Sequence, residues 1–134
     1  GGVTASSDDL DWATSILGAV GSAVRVTERH IDAVTGVSGC GPAFIYLVAE
    51  SLIEAGVHQG LTRAMSRDLV VGTLAGAAEM LSVTGESPEE LRSQVTSPGG
   101  ATAAGLRMLE SRAVRAAFLE AVSASAERSR QLGR

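Results

Sequence analysis

Pro42-Ala43-Phe44-Ile45-Tyr46-Leu47-Val48-Ala49-Glu50-Ser51-Leu52-Ile53-Glu54-Ala55-Gly56-Val57 has the length and composition of one long helix. Pro42 fits its first turn, where the missing N–H has no partner to lose. Phe44 to Ala49 then points apolar side chains in every direction round the axis, and a helix without a polar face is buried on several sides. Glu50, Ser51 and Glu54 restore a polar side further along; Gly56 ends the helix and Gly60 continues the turn. Such a helix needs other helices around it.

Downstream, Thr62 caps a helix that runs to about Val83. Arg63, Arg67 and Asp68 mark its wet side; Leu69, Val70, Leu74, Ala77, Ala78 and Leu81 mark the dry one. Gly72 and Gly76, four apart on this helix, invite a neighbouring backbone to approach closely. Gly85 ends the segment. Ser87-Pro88-Glu89-Glu90 then has the form of a capping box, with proline in the first turn of a short helix that leads through Leu91 to Val95. A helix over Thr102–Glu110 buries Leu106 and Leu109. The last helix, Ala113 to Leu132, carries Val114, Ala117, Phe118, Ala121, Val122 and Ser125 as one amphipathic stripe. Upstream, His30 to Thr35 forms a short helical turn broken by Gly36 and Gly39. Ser6 or Ser7 caps a first helix through Leu10, Ala13, Ile16, Leu17 and Val20, stopped by Gly21. Ala23-Val24-Arg25-Val26 alternates like a short strand, although nothing else in the chain supplies a sheet for it.

Gln94-Val95-Thr96-Ser97-Pro98-Gly99-Gly100-Ala101-Thr102-Ala103-Ala104-Gly105 joins two helical patterns. Paired glycines permit a tight turn that brings several N–H groups round to one point, and a helix start lies next to them. Amides, a helix dipole and the hydroxyls of Ser97 and Thr102 suit a carboxylate or a phosphate. The same residues also suit an ordinary helix–helix turn punctuated by Ser, Pro and Gly.

Composition narrows the function classes. Of 134 residues, 45% are hydrophobic but only 3% aromatic, so the core is built from Ala, Val, Leu and Ile. There are 16 glycines, several inside helical patterns where each costs about 1 kcal/mol against alanine, a loss that close helix packing offsets. A net charge of −4 with mixed signs gives no electrostatic footprint for nucleic acid. His30 and His58 have no metal-ligand spacing, so no metal site is expected. The single Cys40 forms no internal disulfide, in keeping with a reducing cytoplasm. No stretch reads as long enough to span a membrane, and no signal peptide opens the chain. Gly1-Gly2 reads as a cloning remnant or as the tail of a longer protein.

Three blocks carry a family resemblance. Val95-Thr96-Ser97-Pro98-Gly99-Gly100-Ala101-Thr102 is similar to the substrate loop of pyrroline-5-carboxylate reductases, usually V-T-S-P-G-G-T-T. Asp32-Ala33-Val34-Thr35-Gly36-Val37-Ser38-Gly39-Cys40-Gly41-Pro42-Ala43 resembles the same family's D-A-V-T-A-L-S-G-S-G-P-A. Glu54-Ala55-Gly56-Val57, followed by Gly60-Leu61, matches its E-A-G-V-x-x-G-L turn. The blocks stand in family order and spacing. Two positions depart from the pattern: Cys40 replaces a serine, and Ala101 the first threonine.

The resemblance implies an all-α helical-bundle dimerisation domain over residues 30–134. Residues 1–29 would then be the tail of an N-terminal dinucleotide-binding domain of Rossmann type, with Ala23–Val26 its leftover strand. No G-x-G-x-x-G follows a predicted strand in this chain. The implied activity is NADPH- or NADH-dependent reduction of a cyclic imine to proline by a cytoplasmic homodimer, in some members assembled further into rings. Ser97, Gly99, Gly100 and Ala101 would hold the substrate carboxylate. Thr102 would also bind substrate and serve the ring nitrogen as the catalytic hydroxyl. Ser38, Gly39, Cys40, Gly41 and Pro42 would line the nicotinamide side. No nucleic acid and no membrane is expected as a partner. Two other readings stay open: a non-catalytic dimerisation module that retains an anion loop, and a related imine or 3-hydroxyacid reductase.

Overall fold

The computed structural model describes residues 4–133, and the Gly1-Gly2 reading lies outside them. Seven α-helices follow one another: α1 Ser7–Gly18, α2 Ile31–Val34, α3 Gly41–His58, α4 Arg63–Val83, α5 Pro88–Gln94, α6 Ala101–Ser111 and α7 Val114–Leu132. A 3-10 turn, Glu28–His30, precedes α2, and a π-turn, Thr35–Gly39, joins α2 to α3. The all-α class is as the sequence implied.

Where local signals are strong, the helices start as read. Ser6, not Ser7, caps α1, closing a box with Asp9; Thr62 accepts from the Met65 N–H; Ser87 and Glu90 close the box at α5. Three expectations are corrected. Gly36 and Gly39 do not break the chain: α2, the π-turn and α3 run on as one helical segment, Glu28–His58. Gly56 does not end α3, which continues to His58. Ala23–Val26 is irregular, because a strand needs a neighbour to bond and no described residue provides one. The fused segment also revises the membrane reading: at 31 residues it is long and apolar enough to cross a bilayer by length and composition alone.

Two close crossings fix the tertiary structure. Ser66 of α4 is buried against α3 and donates its hydroxyl to the Ile53 carbonyl at 2.8 Å. The crossing requires glycine at position 56, where a Cβ would stand 2.1 Å from Ser66 Oγ. On the other side, α7 crosses the π-turn at Gly36, where a Cβ would stand 2.8 Å from the Val122 carbonyl oxygen. α4 in turn carries α5, and α7 carries α6.

Little else is covered. Among the described residues only Gly36, Ser66 and Ala126 are buried. Tyr46 and Leu47, in the apolar opening turns of α3, are 71% and 61% exposed. A chain of 13.6 kDa folded as a closed globule would expose about 6,600 Å². This one exposes 10,408 Å². A Cβ at Gly72 or Gly76 would meet no side chain and no other element among the described residues within 4 Å. The apolar surface of α3 and α4 is therefore left uncovered by the described residues.

Candidate functional site

The loop between α5 and α6 is a tight turn. Gly100 donates its N–H to the Ser97 carbonyl at 3.0 Å, with Pro98 and Gly99 at the turn's centre. Gly99 has φ +71°, a left-handed conformation that disfavours any side chain. The Ser97 hydroxyl lies over Gly100, where a Cβ would meet it at 2.4 Å. Gly100 is itself the N-cap of α6 and brings no side-chain acceptor. The amides of Ala101, Thr102 and Ala103 consequently have no hydrogen-bond partner among the described residues. Thr102 stands one residue inside the helix, so it is not the cap. Ser97 and Thr102 are exposed. The result is a set of free N–H groups at the positive end of a helix dipole, with two hydroxyls beside it. That is chemistry for an anion.

The second block is built differently. Cys40 donates its N–H to the Thr35 carbonyl at 2.9 Å, the widened turn of a π-helix. Ser38 and Gly39 are exposed, Cys40 and Gly41 half-buried, and Pro42 opens α3. A Cβ at Gly41 would meet nothing within 4 Å, whereas one at Gly39 would meet the Thr35 methyl at 3.6 Å.

Within one chain these two blocks are held apart by the packing. α5 rests on α4 alone and α6 on α7 alone, among the described helices; neither touches the π-turn or α3. Other neighbours were missed in the sequence as site residues. Thr35, Ser125, Arg128 and Ser129 share an open cleft with Cys40, through the crossing of α7 on the π-turn. Glu86, before α5, accepts at both carboxylate oxygens from the Gln94 side chain, at 3.1 and 3.0 Å. Glu86 lies outside α5, so no within-helix spacing rule points to its pairing with Gln94. His30 Nδ1 lies 3.0 Å from the Thr27 hydroxyl.

Comparison with known proteins identifies the family. Residues 28–132 match the family model described as pyrroline-5-carboxylate reductase dimerisation. The chain is 46% identical over 128 residues to the pyrroline-5-carboxylate reductase of Corynebacterium melassecola, covering 96% of this chain and 47% of that protein. Among solved structures it is similar to a pyrroline-5-carboxylate reductase from Coxiella burnetii, with a TM-score of 0.92 and 38% identity over 97% of this chain and 48% of that one. It is also similar to the Plasmodium falciparum pyrroline carboxylate reductase with NADP bound, with a TM-score of 0.90 and 37% identity over 98% and 53%. The chain spans about half the length of the curated relatives it matches. With four-fifths of its residues inside the family's dimerisation region, this chain belongs to the pyrroline-5-carboxylate reductases.

Proposed function

We propose that this chain is the C-terminal, substrate-binding and dimerising part of a reductase that converts 1-pyrroline-5-carboxylate to L-proline with NADPH or NADH. Residues 1–29 then close a dinucleotide-binding domain and 30–134 form the helical domain. The observation that carries this is the uncapped start of α6, where Ser97 and Thr102 flank three unpartnered amides. A cyclic imine acid has the two features such a place serves, a fixed carboxylate and a nitrogen that gains a proton.

The amides of α6 and the Ser97 hydroxyl hold the carboxylate, fixing the ring in one orientation. Thr102, one helix position inside the turn, places its hydroxyl at the ring nitrogen and helps deliver the proton that nitrogen takes up. A bound reduced nicotinamide supplies the hydride for the C=N carbon. Ser38, Gly39, Cys40, Gly41 and Pro42 hold that ring, short side chains letting it lie flat. No covalent intermediate is needed, only alignment and a proton.

The exposed faces of α3 and α4 support an interwoven homodimer. Tyr46, Leu47 and the open glycines Gly72 and Gly76 are the surfaces for it. The test has two parts. Joined to its dinucleotide-binding half, the protein is expected to oxidise NADPH or NADH in the presence of pyrroline-5-carboxylate; the isolated chain is expected to do neither half of that chemistry. Turnover by the pure isolated chain, or none by the full-length protein, overturns the assignment. Light scattering is expected to give at least a dimer; a stable folded monomer at micromolar concentration excludes the interwoven arrangement.

A further inference from the structure

We propose that Glu86 and Gln94 form a positioning clasp that sets where the Ser97–Thr102 loop holds the substrate carboxylate, an inference that rests on the function assigned above. Carboxylate recognition holds the imine acid firmly only if the loop itself is fixed, since hydrogen bonds weaken steeply once donor and acceptor move out of line. α5 is the element that delivers the chain into this loop, and it has seven residues. A helix so short does not hold its own geometry in water. Among the described helices it leans on α4 alone.

Its two ends are tied to consecutive residues. At the start, the Glu90 carboxylate accepts from the Ser87 N–H and hydroxyl, both at 2.8 Å, while the Glu90 N–H donates to the Ser87 hydroxyl at 3.2 Å. At the end, Gln94 reaches back over the whole helix to Glu86, its amide nitrogen between the two carboxylate oxygens. Glu86 is half-buried, and its own N–H donates to the Thr84 hydroxyl at 3.2 Å, which anchors it to the end of α4. Gln94 is the last helical residue before Val95, Thr96 and Ser97. The clasp thus transmits the position of α4 to the first hydroxyl of the site. Neither side chain needs to touch substrate to do so.

The test uses the full-length reductase with pyrroline-5-carboxylate. Gln94→Ala and Glu86→Ala are each expected to raise KM for the imine acid about 3- to 10-fold, with kcat and the cofactor KM within about twofold of the parent. Because each removes the same contact, the double variant is expected to be no worse than either single one. Glu86→Gln keeps a carbonyl oxygen to accept from Gln94 and is expected to recover most of the loss. An unchanged KM in Gln94→Ala overturns the clasp, as do effects that add in the double variant. A lower melting temperature with KM intact overturns it too, leaving a structural tie only. Ser97→Ala separates this from the functional reading. If it raises KM while Gln94→Ala does not, the clasp alone falls; if it leaves KM unchanged, the carboxylate site falls and the clasp with it.

Discussion

α5 and α6 are consecutive helices that treat their N-termini in opposite ways. α5 opens on Ser87, Pro88 and Glu90, and its capping groups are turned on each other: the Ser87 hydroxyl takes the Glu90 amide, and the Glu90 carboxylate takes the Ser87 amide and hydroxyl. The electrostatics follow, since the Ser87 N–H first and its hydroxyl second hold the Glu90 carboxyl below the usual carboxylate range. α6 opens on Gly100 and offers its amides nothing. Four unpaired N–H groups are the ordinary consequence of ending a helix. One helix spends them on its own side chains for stability; the other keeps them available at a turn flanked by hydroxyls. On the function proposed above, the difference separates a structural helix start from a binding one.

The comparison is broken most easily at Thr102. If the α6 start is a site, Thr102→Ala is expected to lower kcat about 100-fold in the full-length protein while KM moves less, because the hydroxyl acts where a proton is delivered. Thr102→Ser, which keeps the hydroxyl, is expected to recover most of it. Steady-state kinetics on the pair decide the point, and a normal kcat in Thr102→Ala returns the loop to an ordinary turn. Next in size is Ser97→Ala. It removes one donor among several, so substrate binding is expected to weaken roughly ten- to hundredfold, read as KM, with kcat nearly kept.

The matching change in α5 sharpens the contrast by doing the reverse. Ser87→Ala is expected to lower stability by about 1 kcal/mol in a denaturant or thermal melt, with kcat near normal. A smaller effect comes from acid. Because the folded-state Glu90 carboxyl titrates below its unfolded value, its cap is fully stabilising above the ordinary carboxylate range and is lost as pH falls through the lowered value. Melts between neutral pH and strong acid are expected to show the difference between parent and Glu90→Gln shrinking toward the acid end. A difference that stays constant across that range would mean that the charge of Glu90 is not what closes the box.

Legibility in the sequence followed the range of the interaction. The starts of α4 and α5 were readable from Thr62 and from Ser87-Pro88-Glu89-Glu90, because a cap is made by residues two or three apart. The Ser97-Pro98-Gly99-Gly100 turn was readable as a turn, and its possible use for an anion could be named from residue types alone. Its openness could not be read: that depends on Gly100 occupying the cap, two residues before the Thr102 helix start expected from the pattern. The Glu86–Gln94 contact was invisible because Glu86 lies outside α5, where helical spacing does not say which side chains meet.

By itself the sequence determined the all-helical class, the positions of most helix ends, and through its three blocks the family to which the chain belongs. These are consequences of local hydrogen bonding, side-chain period and motif spacing, which neighbouring residues decide among themselves. The tertiary structure alone decided that Gly36 and Gly39 continue a helix, since only the α7 crossing at Val122 gives Gly36 a reason to sit inside one. It alone removed the strand at Ala23–Val26, because a strand exists only where another is laid beside it. It alone revealed how much of α3 and α4 is left uncovered, because burial is a property of what packs against a surface, and no single stretch of sequence contains its own neighbour.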